Sequence, residues 1–159
     1  MVKLEYRYIE EKYDAAVAEL IRTTLKAHHL DMPGTAYFDE SLDHLSEYYK
    51  APDREYYVLC NEGSAVGGVG FAKFEGLEEC CEMQKLYLSE PLRGKGTGRE
   101  MVIFIIGRAR DMGYKKMYLE THSRLESAIH LYEKCGFKEI EKPDGAVHGA
   151  MDKFYLKQI

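Results

Sequence analysis

KLYLSEPLRGKGTGREMV, residues 85–102, runs from an alternating apolar segment through RGKGTG (93–98) into a stretch of helical periodicity. Three glycines and two cations in six residues pose a chemical question: which anion does this loop hold? A helix N-terminus has free N–H groups and a partial positive charge. Glycines let successive N–H groups turn toward one point, with no side chain in the way. A P-loop requires GxxxxGK followed by Ser or Thr, and here Gly94 is followed by Lys95 and Gly96. A dinucleotide fingerprint requires GxGxxG, and its third glycine falls on Arg99 or Met101. What remains is Arg-x-x-Gly-x-Gly, made of Arg93, Gly96 and Gly98. Between a strand and a helix, such a loop is a nest for a pyrophosphate. Arg93, Lys95 and Arg99 add charge around it.

The flanking segments support that placement. CCEMQKLYL (80–88) alternates as a strand should, with Cys80, Glu82, Gln84, Leu86 and Leu88 expected on one face and Cys81, Met83, Lys85 and Tyr87 on the other. After the loop, Met101, Val102, Ile105, Ile106, Ala109 and Met112 make the apolar stripe of a helix over 98–112, which Gly113 ends. Further out, strands are expected at 3–9, 55–60, 65–75, 115–121, 137–141 and 151–159, and helices at 13–29, 41–49 and 124–134. Ser41 is the expected N-cap of the second helix, and Pro52 follows its end. Glycines in AVGGVGFAKFE (65–75) invite a bulge or a close backbone approach. The order is β-α-α-β-β-β-α-β-α-β-β: one α/β domain over 1–159, a mixed sheet with helices packed on it.

Composition narrows the partners. With 22 Lys+Arg against 27 Asp+Glu the net charge is −5, which argues against nucleic acid. MVKLEYRYIEEKYD has no apolar signal region, and MVIFIIG (101–107) is too short to span a bilayer. Cys60, Cys80, Cys81 and Cys135 form no CxxC pair, so a reduced, cytoplasmic protein is expected. No HExxH, zinc spacing or EF-hand loop implies a metal.

Taken together, KLYLSEPLRGKGTGREMV (85–102) and AIHLYEKCGFKEI (128–140) resemble the GNAT superfamily of acyl-CoA N-acyltransferases, and the element order fits over nearly the whole chain. The resemblance implies a single GNAT-like domain with a mostly antiparallel sheet of about seven strands and helices on both faces. It implies acetyl-CoA as donor and an amine as acceptor. Carried over by position, the backbone N–H groups of Arg93, Gly94, Lys95, Gly96, Thr97 and Gly98, with Arg99, hold the pyrophosphate. Leu86, Tyr87 and Leu88 meet the pantetheine and thioester, where their strand splays from 115–121 and leaves backbone groups for the peptide-like arm. The family often has Asn three residues before the Ala of the second segment. That position is Leu125 here, and either Ser127 or Ser123 replaces the contact or nothing does.

The reaction asks for a base to deprotonate the amine and an acid for the leaving thiolate. Tyr132, at the family's tyrosine position in LYEKCGF, is the acid candidate among 13 tyrosines. Glu82 is the base candidate, on a strand face where burial raises its pKa, with water as a possible bridge. His148, His122, Glu120, His28 and His29 rank lower, a histidine at a helix C-terminus being well placed for the dipole. In this fold the acceptor pocket draws on 28–45 and the last strands. There Asp31, Tyr37, Asp39, Glu40 and Asp43 suit a cationic small-molecule amine, or else form a solvated face. A non-catalytic acyl-CoA-binding module on the same fold is the alternative. The final strand's edge offers a route to a homodimer.

Overall fold

The computed structural model describes residues 2–159. Seven strands form one sheet in the order β1-β2-β3-β4-β5-β7-β6. They are β1 (Leu4–Tyr8), β2 (Arg54–Asn61), β3 (Ser64–Lys73), β4 (Cys80–Leu88), β5 (Lys116–Thr121), β6 (Lys138–Ile140) and β7 (Lys153–Gln158). All neighbours are antiparallel except β4 and β5. This is the mostly antiparallel α/β sheet the sequence implies.

Helices cover both faces. On one side lie α1 (Glu11–Ala27) and the single-turn α2 (Leu45–Tyr48). The apolar stripe of α1, Tyr13, Val17, Ala18, Ile21 and Leu25, packs with Leu45, Tyr49, Tyr56 and Val58. Buried Asp14 accepts from the Ser46 N–H and hydroxyl, tying α1 to α2. On the other side, α3 (Thr97–Asp111) and α4 (Glu126–Lys134) bury Met101, Val102, Ile105, Ile106 and Tyr132 against Leu59, Val69, Phe71, Cys81 and Met83. Positive-φ Gly113 and Gly136 follow the ends of α3 and α4, where a left-handed residue is needed to stop a helix.

Three expectations are corrected. The final strand is not a sheet edge: β7 pairs with β5 on one side and β6 on the other. The helix at 41–49 is a 3-10 turn at Leu42–His44 followed by α2, because His44 leaves helical geometry between them. Ser41 is not an N-cap: its backbone is already helical, and its hydroxyl accepts no capping bond. Cys80 and Cys81 do part to different clusters, as alternation requires. No helix among the described residues is long and apolar enough to cross a membrane.

Candidate active site

The site begins where the sheet comes apart. β4 and β5 pair over only three residues each, Cys80–Glu82 against Lys116–Tyr118. Beyond Glu82 and Tyr118 the two strands share no ladder, so their facing edges keep unpaired backbone groups. A cleft of about 810 Å³ opens there, between Met83–Leu88 on one wall and Leu119–Thr121 on the other.

A β-bulge shapes the β4 wall. Between the pairs Gly70↔Gln84 and Gly68↔Tyr87, β4 takes three steps against two on β3. Lys85 absorbs the extra residue at φ +51, an uncommon conformation for a side chain with a Cβ. Tyr56 braces it, donating its hydroxyl to the Lys85 carbonyl at 2.8 Å. The bulge overturns the expected alternation. Leu86 and Leu88 join Cys81 and Met83 on the α3 side, whereas Tyr87 joins the cluster beneath α1. Gln84 bonds Tyr49, and Lys85 bonds Asp39, both from the α1 side. Glu82 and Leu86 therefore lie on opposite faces, because a bulge shifts the two-residue period by one.

The glycine loop has the conformation of a nest. Gly94 and Gly96 have φ +75 and +84, α3 starts at Thr97, and no side chain caps its first N–H groups. Arg93 is fixed by its guanidinium, which donates to the Leu88 carbonyl and to the Thr24 hydroxyl. Gly98 sits where a Cβ would meet Leu131 at 3.1 Å, so α3 and α4 pack closely at this end. Of the residues expected to hold a cofactor, Leu86, Tyr87, Leu88, Arg93, Gly94, Gly96, Gly98, Arg99 and Ser127 line the cleft. Lys95 and Thr97 belong to the same loop but not to the cleft wall. Ser127 is exposed in the first turn of α4, while Ser123 is taken by Asp152.

Glu82 lies at the inner end of the cleft and is 8% exposed. Burial pushes its carboxyl up to about 7, with Gln84, which donates to its Oε1 at 2.9 Å, working in the opposite direction. Tyr132 is buried against Phe137 and contributes to the cleft wall. Desolvation drives its hydroxyl well above the ordinary tyrosine range, so it keeps its proton at neutral pH.

His148 lies on the cleft wall between two carboxylates. Its Nδ1 is 2.8 Å from Glu120 Oε1, and its Nε2 is 2.8 Å from Asp39 Oδ1. Its pKa is raised to about 9, first by the Asp39 hydrogen bond and then by Glu120. A ring facing a carboxylate at each nitrogen donates from both, which requires the imidazolium. Burial pushes Asp39 up, but His148 and Lys85 outweigh this and hold its carboxyl below the usual range. Sequence spacing hid these contacts, which join residues 109 and 28 positions apart. The other candidates have local duties. His28 Nδ1 meets the Thr24 carbonyl, His122 Nδ1 accepts from the Arg124 N–H, and His29 offers its carbonyl to Arg124. Asp43 is engaged by Arg22 in a two-point ion pair and is not part of the cleft wall.

A sheet split beside a nest of left-handed glycines at a helix N-terminus offers unpaired backbone donors suited to an amide-bearing pyrophosphate ligand. The sequence model of the acetyltransferase (GNAT) family matches residues 21–137, and the chain belongs to that family. It is 39% identical over 128 residues to the N-acetyltransferase YjgM of Escherichia coli, covering 79% of this chain and 77% of that one. Its fold matches a GNAT-family acetyltransferase from Staphylococcus aureus at a TM-score of 0.87, with 17% identity and coverage of 98% and 99% of the two chains. It also matches the structure of yncA from Salmonella typhimurium with its cofactor acetyl-CoA, at a TM-score of 0.75 and 21% identity over 98% and 94%.

Proposed function

We propose that this chain transfers an acetyl group from acetyl-CoA directly to the primary amine of a small molecule, with Glu82 as general base and Tyr132 as general acid. The observation that carries the reading is the buried Glu82 carboxyl at the point where β4 and β5 part, with a pKa of about 7. A base poised near the working pH is the efficient one. Glu82 takes the ammonium proton directly or through one water, leaving the amine lone pair free to attack. Acetyl-CoA would supply the activated acetyl group; as the C–N bond forms the thioester C–S bond breaks, and coenzyme A would depart as the thiolate. Tyr132, still protonated, donates to that sulfur. The left-handed loop at 93–98 and the free N–H groups of α3 suit a pyrophosphate, and the unpaired β4 edge suits the amides of the pantetheine arm.

His148 is not the base in this reading. Held by two carboxylates, it has no free lone pair to offer, and it bridges Asp39 to Glu120 instead. The same contact supports a small acceptor. His148–Asp39 and the Ala150 N–H bond to the Gly34 carbonyl join the loop before α2 to the loop before β7.

The test is calorimetric titration with acetyl-CoA, with adenosine diphosphate as comparator, followed by an amine panel assayed for released thiol. Micromolar acetyl-CoA binding much tighter than the nucleotide, with turnover of some amine, is the expected result. Glu82→Gln then loses the acidic limb near pH 7, with a drop of ~10²-fold in kcat. Absence of acetyl-CoA binding by folded protein sinks the reading. Binding without turnover of any amine points to the binding-module alternative.

A further inference from the structure

The carboxylate at the heart of the cleft is held from behind. Tyr49 is completely buried at the end of α2, its ring tilted against Tyr56 at 5.0 Å between centroids. Its hydroxyl donates to Gln84 Oε1 at 2.6 Å, and Gln84 Nε2 donates to Glu82 Oε1 at 2.9 Å. Each link constrains the next. An amide has one acceptor end and one donor end. With the acceptor end taken by the Tyr49 hydroxyl, the donor end must face Glu82. Glu82 Oε1 is thereby occupied, and Oε2 is left for the cleft that this residue lines.

We infer that Gln84 and Tyr49 are positioning residues for Glu82: the Tyr49 hydroxyl locks the Gln84 amide so that its N–H group orients the Glu82 carboxylate into the cleft. The inference rests on the reading of Glu82 as base, which it deepens. Ordinary strand alternation makes the arrangement possible. Residues 82 and 84 precede the bulge and share the α1-side face, so both reach the tyrosine cluster under α2. A hydrogen bond from a neutral amide favours the ionised carboxylate, which opposes the effect of burial on Glu82.

Other groups act on Glu82 too, and any titration must be read against them. Glu120 and Tyr118 face it from β5, His148 from the loop before β7, Tyr49 from the end of α2, and Lys85, Cys80 and Cys81 from its own strand. Replacing Gln84 or the Tyr49 hydroxyl changes no formal charge in that set, so a shift reports the amide bond itself.

The experiment is a ¹³C NMR titration of glutamate carboxyls in the free protein, with Glu82→Gln assigning the Glu82 signal. Gln84→Met keeps the length of the side chain but cannot donate. It is expected to move the Glu82 midpoint upward by about one pH unit, the scale of a hydrogen bond to a charged group. Tyr49→Phe keeps the ring and its packing and is expected to move it upward by less, because the amide is then free to turn. A midpoint unchanged in both folded variants overturns the inference. If Gln84→Met does not fold, Tyr49→Phe decides alone: an upward shift supports the lock and none refutes it. The acidic limb of the pH–rate profile, measured on an amine from the panel, separates the two claims. A Glu82 midpoint that moves while the limb stays fixed supports the lock and removes Glu82 as the base.

Discussion

Glu82 and Tyr132 reach the cleft from different elements, one from a strand and one from a helix on the opposite face, and each was legible for its own reason. Tyr132 stands in a recognisable segment, LYEKCGF, and helix geometry then places it. Its removal tests the acid role directly. Tyr132→Phe is expected to lower kcat ~10²-fold while acetyl-CoA affinity, read by calorimetry, stays within about twofold. An unchanged rate at every pH assigns thiolate protonation to water. Glu82 was legible from burial logic, but its neighbours were not. Alternation placed it with Leu86, and the bulge at Lys85 separated them. Nothing in the composition of Lys85 announces a positive φ. The signal lay across the ladder, in the glycines of β3 that make room for the Tyr56 ring.

Those glycines show how an element is set by its neighbour. A Cβ on Gly70 would lie 2.5 Å from Tyr56 Cδ2 and 2.6 Å from the Glu55 carbonyl. One of those contacts is backbone and cannot swing away. Gly70→Ala is therefore expected to destabilise the fold by ~2 kcal/mol or more in urea unfolding, the scale of overpacking in a tight core. The same displacement would pull Tyr56 from the Lys85 carbonyl and loosen the bulge. Gly96 makes the opposite case. A Cβ there meets nothing within 4 Å, yet the residue holds φ +84. A β-branched side chain resists that conformation. Gly96→Val is expected to weaken acetyl-CoA binding by ~10-fold or more through backbone strain, with circular dichroism confirming an intact fold. The boundaries of strands and helices were readable from periodicity to within a few residues. The break at His44 was not, because Leu42, Leu45 and Tyr49 satisfy helical spacing whether or not the turn is continuous.

Across the molecule, His148 links three separate stretches of chain: the loop before α2 through Asp39, β5 through Glu120, and its own loop before β7. Such long-range pairing leaves no periodic trace, so the acids of 31–43 could be listed from the sequence but not sorted. Asp39 faces the site and Asp43 faces Arg22. The link also gives stability a direction in pH. The His148 ring holds its proton up to about 9 in the fold, against 6.5 for a free ring. Its contribution is whole below pH 6.5 and drains away as pH rises through 9. His148→Gln is expected to cost ~2 kcal/mol at pH 6, and the difference should vanish by about pH 10. Thermal melts of the two proteins across that range check the sign. A gap that widens with pH contradicts the charge assignment.

The three-residue seam between β4 and β5 has a mechanical consequence. β1–β4 and β5–β7 are two halves of one sheet joined along one short line, and a ligand bonding both edges would serve as an additional stitch. Whatever binds the folded chain and not the unfolded one strengthens the fold in proportion to the logarithm of its concentration. Under the proposed function, resistance to heat and to proteases is expected to rise with acetyl-CoA concentration, which thermal melts across a titration check.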